Sequence, residues 1–213
     1  DWSSDVCSSD LCDAEMAVRI TVDAKAQYPA VCNAAETLLI HAERAAELLP
    51  RIADALPGTE LRLDTESRRI LADHSPAGGA VLVEAQDDDW GAEYNDLVLA
   101  VRVVESLGQA IDHINTWSSH HTDAIVTENQ AAAESFLRAV DSASVMHNVS
   151  TRMADGFRYG LGAEVGIATG RIHARGPVGL EGLTTTRYLV RGSGDVVGDF
   201  ADGNRVFTHR DLH

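Results

Sequence analysis

The chain has 213 residues, enough for one large domain or two small ones with a core that needs no covalent or metal staple. A hydrophobic content of 45% with 23% charged residues is ordinary for a globular α/β protein, and a formal net charge of −16 argues against nucleic acid as a partner, because phosphates call for a basic face. No apolar run approaches the roughly 20 residues of a membrane helix, no basic-then-apolar leader opens the sequence, and the cysteines form neither a disulfide framework nor a zinc motif, so the expectation is a cytoplasmic protein without a membrane partner.

Residues 1–11, DWSSDVCSSDL, are a low-complexity Ser/Asp stretch unlike the rest. One back-translation of them matches the end of a short-read library adapter. The segment is therefore expected to be adapter-derived and to contribute nothing to the fold, with the natural protein extending upstream of Cys12. From Ala14 to Ala26, Ala17, Ile20 and Ala24 recur at helical spacing, and Tyr28-Pro29 ends that helix. Cys32 and Asn33 follow in a loop, before a buried strand over Glu36–His41. Glu43–Leu56 reads as an amphipathic helix with Ala46, Leu49, Ile52, Ala53 and Leu56 on one stripe; Pro50 should kink or split it, and Pro57-Gly58 stops it. Leu61–Leu63 and Ala80–Glu84 are short strands around a small helix ending near Ala72. The aliphatic run Leu97–Val104 has the pattern of a strand covered on both faces. Helix 107–117, strand 123–127, helix 129–140 and strand 144–146 continue the alternation, which implies a mainly parallel sheet with right-handed crossovers. A glycine-rich connection follows Asn148, and Thr184–Arg191 alternates as a half-exposed strand, with a hairpin-like extension around Val206-Phe207.

Among the residues that can carry chemistry, Cys32 stands out, because a cysteine nucleophile belongs in a loop at the end of an ordered element. On position alone the same placement suits an inert, buried thiol. Asn148, Ser150, Thr151, Arg152 and Asp155 form a polar cluster in a glycine-flanked loop, which fits either a capped turn or a site for a substrate bearing both charges. Gly160-x-Gly162-x-x-x-Gly166 lacks the strand–turn–helix setting of a dinucleotide loop, and His113, His120 and His121 match no metal-site spacing.

The segment Asp23–Leu39, DAKAQYPAVCNAAETLL, resembles the cysteine segment of the γ-glutamyl phosphate reductases (glutamate-5-semialdehyde dehydrogenases), NAK-x-QRP-x-x-CN-x-x-ETLL. Four further stretches resemble that family in the right order: Trp90–Asp96 (WGAEYND), Ser119–Thr127 (SHHTDAIVT), Asn148–Gly156 (NVSTRMADG), and Gly160–Thr169 with His173–Leu180 (GLGAEVGIAT, HARGPVGL). The likeness runs from about Cys12 to Arg191. It departs from the family at Tyr28, which stands for an arginine, at Met146-His147, where a Tyr-Val pair is common, and at Asn95, where the wider superfamily has an aromatic.

The resemblance implies an aldehyde-dehydrogenase-like α/β fold with a mainly parallel sheet: a catalytic cysteine domain over 12–182, an oligomerisation strand and tail over 183–213, and a cofactor domain lying largely upstream. It implies NADPH-dependent reduction of L-glutamyl 5-phosphate to L-glutamate 5-semialdehyde in proline biosynthesis, with Cys32 as nucleophile. Glu93 matches the superfamily glutamate that contacts the nicotinamide ribose, and Asn148, Ser150, Thr151, Arg152 and Asp155 become substrate contacts. A homo-oligomer is expected, with glutamate 5-kinase as the preceding enzyme and partner. The alternatives are another aldehyde dehydrogenase, or a truncated chain that folds without turning over.

Overall fold

The computed structural model describes residues 4–208. The chain divides into two compact units, one running to Leu183 and one from Thr184.

In the first unit strands and helices alternate: β1 (Ser4–Ser8), α1 (Ala14–Ala26), β2 (Ala35–His41), α2 (Ala42–Ala55), β3 (Glu60–Leu63), α3 (Thr65–Ile70), β4 (Val81–Glu84), β5 (Val98–Val104), α4 (Leu107–Trp117), β6 (Thr122–Val126), α5 (Gln130–Ala139) and β7 (Ser144–His147). The strands form one seven-stranded parallel sheet in the order β4-β3-β5-β2-β1-β6-β7. Because side chains alternate across a strand, successive residues feed opposite cores. Val6, Leu38, Ile40, Leu61, Leu63 and Val101 pack under α1, α2 and α3. Cys7, Leu39, Val104 and Ile125 pack under Ala110 and Ile114 of α4 and Phe136 of α5. The sheet is thus covered on both faces, as the aliphatic run of β5 requires. Short polar side chains cap three of the helix starts: Asp13 accepts from the Met16 amide, Ser106 from Gln109, and Asn129 from Ala131 and Ala132.

A small antiparallel pair, β8 (Gly166–Ala168) with β9 (Gly176–Val178), punctuates the glycine-rich connection. No described helix is long and apolar enough to cross a membrane.

Several features depart from the expectations above. Residues 4–8, expected to stand outside the fold, form β1 in the middle of the sheet, hydrogen-bonded to β2 on one side and β6 on the other. The fit of its backbone is better than that of its side chains. Ser4, Asp5 and Ser8 are fully buried, and their side-chain oxygens lack hydrogen-bond partners of normal geometry. Helix α2 runs unbroken through Pro50. Proline deletes only one intrahelical bond, and the buried Leu48, Leu49, Ile52 and Ala53 hold the helix to the sheet on both sides of it. Its buried stripe includes Ala45 and Leu48 in place of Ala46, which is exposed. In the second unit, residues 184–191 form no strand, since alternation supplies faces but no partner strand is paired with them among the described residues. The hairpin expected around Val206-Phe207 is replaced by a short helix, α6 (Val197–Ala201), with Phe207 stacked on Phe200 at a centroid distance of 4.3 Å.

Candidate active site

The Cys32 loop begins where α1 runs out. Lys25 sits in the last turn, Gln27 closes the helix, and Pro29 prevents its continuation. The chain turns through Val31-Cys32-Asn33-Ala34 and enters β2 at Ala35. Cys32 is half-buried, whereas Cys7 and Cys12 are buried. Asn33 is buried and donates from Nδ2 to the Ala154 carbonyl at 2.7 Å, which ties the loop to the segment after β7.

That segment carries most of the expected substrate contacts. Asn148 adopts a left-handed backbone (φ 56°) that asparagine tolerates. Its side chain spans the end of β6, with Oδ1 accepting from the Thr127 amide at 2.9 Å and Nδ2 donating to the Thr127 carbonyl at 3.0 Å. Ser150 caps the short 3-10 turn Thr151–Met153 by accepting from the Arg152 amide. Thr151 is fully buried in that turn. Arg152 donates from Nε and Nη2 to Gln27 Oε1 at 3.1 and 3.0 Å, joining this turn to the end of α1. Asp155 is half-buried and receives the Arg158 amide. Asn148 and Ser150, with Arg19, Asp23 and Gln27 of α1 and its cap, line a cleft of about 820 Å³.

Electrostatics converge on Cys32 from three directions. Burial pushes its thiol up, the carboxylates of Glu164 and Glu93 push it the same way, and the Arg152 guanidinium opposes them. The charges of Glu93 and Arg152 thus both reach the Cys32 thiol. Glu93 lies half-buried on the turn between a 3-10 stretch (Asp87–Gly91) and β5. Asn148 lines the cleft with its amide already bonded to the Thr127 backbone, and Thr151 is buried inside the turn.

Three residues of this site, Lys25, Glu36 and Glu164, carry no local signal in the sequence. Lys25 and Glu36 form an ion pair with Nζ–Oε2 at 2.6 Å and side chains 0% and 2% exposed. Both lie in the quoted cysteine segment, but a helix residue and a strand residue eleven positions apart meet only once the loop between them is folded. Glu164, whose Oε2 receives the Gly156 amide at 2.8 Å, also went unnoticed inside a glycine-rich run. The described residues contain no group of histidines, cysteines and carboxylates able to hold a metal.

This arrangement, a half-buried thiol on a helix-to-strand loop beside a glutamate-bearing turn, can be set against known proteins. No family model matches the chain. It is 55% identical over 202 residues to a γ-glutamyl phosphate reductase of Synechococcus sp. (strain JA-3-3Ab), covering 93% of this chain and 43% of that protein. Against the γ-glutamyl phosphate reductase of Natronomonas pharaonis it is 53% identical over 206 residues, covering 95% and 45%. The crystal structure of the Thermotoga maritima γ-glutamyl phosphate reductase superimposes with a TM-score of 0.84 at 42% identity, over 92% of this chain and 46% of that one.

Along nearly its whole length the chain is homologous to γ-glutamyl phosphate reductases. It spans under half the length of the curated relatives it matches. Its fold is that of the aldehyde dehydrogenases: an acetylating aldehyde dehydrogenase from Geobacillus thermoglucosidasius matches with a TM-score of 0.65 at 14% identity.

Proposed function

We propose that this chain supplies the cysteine-bearing catalytic half of an enzyme that reduces L-glutamyl 5-phosphate to L-glutamate 5-semialdehyde and phosphate, the step that γ-glutamyl phosphate reductases contribute to proline biosynthesis. The observation that carries the reading is Cys32: the most exposed of the three thiols, on a loop braced by Asn33 and faced by Glu93 and Arg152.

The Cys32 thiolate attacks the γ-acyl carbon. The acyl–oxygen bond breaks, phosphate leaves, and a thioester remains on Sγ. A bound NADPH would supply the hydride that reduces this thioester, with Glu93 as the residue on this chain that would hold it. Cys32 would then leave as the thiolate when the aldehyde is released, taking back the electron pair of the C–S bond. The backbone amide of Cys32 is one candidate donor to the oxyanion of each tetrahedral state, a contribution worth about 3 kcal/mol. The donor chemistry on this chain suits the dinucleotide at one point. The Glu93 carboxylate, an acceptor only, is half-buried on its turn and would receive ribose hydroxyls. Arg152 and Asp155 offer the opposite charges needed by an α-carboxylate and an α-ammonium, and Ser150 a hydroxyl at the cleft. Asn148 and Thr151 support them by fixing the turn.

Cys32→Ser in the whole enzyme tests the reading. Turnover should fall to below about 1% of wild type, because an alcohol at neutral pH is far less nucleophilic than a thiolate, while the circular dichroism spectrum stays the same. Activity above that level would remove Cys32 from the nucleophile's role.

A further inference from the structure

The ion pair between Lys25 and Glu36 has a position that stability alone does not explain. Lys25 closes α1 on one side of Cys32 and Glu36 opens β2 on the other, so their 2.6 Å contact shuts the base of the loop that carries the thiol. Taking two charges out of water is costly, and well-packed apolar residues would generally do as well or better for stability. What an ion pair adds is a fixed distance and direction between two elements.

The pair also reaches beyond its own loop. Glu36 Oε1 accepts from the Asn95 amide at 3.4 Å. Asn95 is held with φ at 54°, in the left-handed region, on the turn that bears Glu93. Next to it the Tyr94 ring has two cations over it, with Lys25 Nζ 6.0 Å and the Arg62 guanidinium 4.8 Å from its centroid. Tyr94 donates its hydroxyl to Asp89 Oδ1 at 3.0 Å, and Asp89 in turn binds Arg62 and the Gln86 amide. The Glu93 turn is therefore clamped at one end by Asp89 and Arg62 and at the other by Lys25 and Glu36.

We infer that Lys25 and Glu36 are positioning residues: their buried ion pair staples the Cys32 loop at its base and, through Asn95, holds the Glu93 turn in register with it. The catalytic meaning of this geometry rests on the reading of Cys32 as nucleophile; the geometry itself does not. Opening the staple frees Cys32 from the site where burial, Glu164 and Glu93 disfavour its thiolate against Arg152, so the thiol becomes more reactive.

Peptide-mapped alkylation of the full chain with iodoacetamide reads this directly, with Cys7 and Cys12 as internal controls for general loosening. In Lys25→Met and Glu36→Gln, Cys32 should be alkylated at least about tenfold faster than in wild type while Cys7 and Cys12 remain slow, the mark of local opening rather than global unfolding. The double variant Lys25→Met/Glu36→Leu should regain the wild-type melting temperature yet keep the fast Cys32, because apolar packing restores stability without restoring direction. Equal acceleration of all three cysteines, or a Cys32 rate within about twofold of wild type in the double variant, would overturn the inference. If the single variants do not fold, the double variant decides alone. Because alkylation does not depend on turnover, loss of the nucleophile assignment through Cys32→Ser would leave this result standing, and the reverse also holds.

Discussion

Charged and titratable side chains in this chain sit where water does not reach, and their placement sets its response to pH. Asp5 is buried beside Asp123, and burial first, then mutual repulsion, raises its carboxyl well above the ordinary range. Burial pushes Asp123 up to about 6, against hydrogen bonds from Ser142, Ser118 and the Asp5 amide, and pushes Glu36 up to about 7 against Lys25. An acid whose pKa is higher in the fold than in the unfolded chain stabilises the fold below the unfolded value and loses that contribution as pH rises through the folded one. His113 and His121, lowered to about 4 by burial, act oppositely: their contribution is present above about 6.5 and is lost as pH falls toward 4. The carboxylate part can be isolated. Asp5→Val should raise unfolding stability at pH 8 by about 2 kcal/mol, the cost of an unpartnered buried acid, with the gain shrinking toward pH 4. Urea unfolding at the two pH values checks it, and an equal gain at both would show that the carboxyl's charge is not the cause.

At the scale of elements, most of the architecture is legible from periodicity because the signals are local. Ala17, Ile20 and Ala24 mark α1, and the unbroken aliphatics of β5 mark a doubly covered strand. Cys32 could be placed between α1 and β2 for the same reason. The misreadings have one physical root: they concern contacts that the local sequence does not encode. Ser and Asp are poor strand formers, so β1 carries no strand signal and is recruited by the two edges it fills. The Lys25–Glu36 staple depends on loop closure. Pro50 looks like a breaker until the packing around it is counted. Residues 184–191 show the reverse case, a strand pattern with no partner strand among the described residues of their own unit. We predict that a second copy provides the partner, giving a homodimer. Deleting residues 183–213 from the whole protein should lower the number of subunits per particle measured by light scattering, and an unchanged oligomeric state would assign the segment to its own subunit.

For the molecule as a whole, the proportions matter. The chain covers 46% of the Thermotoga reductase and 43 to 45% of the curated relatives cited above, and its candidate cofactor contact reduces to Glu93. One carboxylate is too little to hold a dinucleotide. The isolated chain should therefore show no NADPH-dependent reduction and no micromolar affinity for NADPH, and titration calorimetry showing such affinity would contradict this.

The position of β1 has a consequence for assembly. It bridges the four strands β4-β3-β5-β2 and the two strands β6-β7, and three of its five side chains, Ser4, Asp5 and Ser8, suit the slot badly. The sheet is thus built around a replaceable keystone. A chain trimmed to begin at Cys12 would present two facing rows of unsatisfied backbone groups, and a synthetic peptide rich in valine and isoleucine should insert between them from solution and zip the halves together. A peptide that leaves the melting temperature of the trimmed chain unchanged would show that the slot between β2 and β6 does not act as a receptor for a strand.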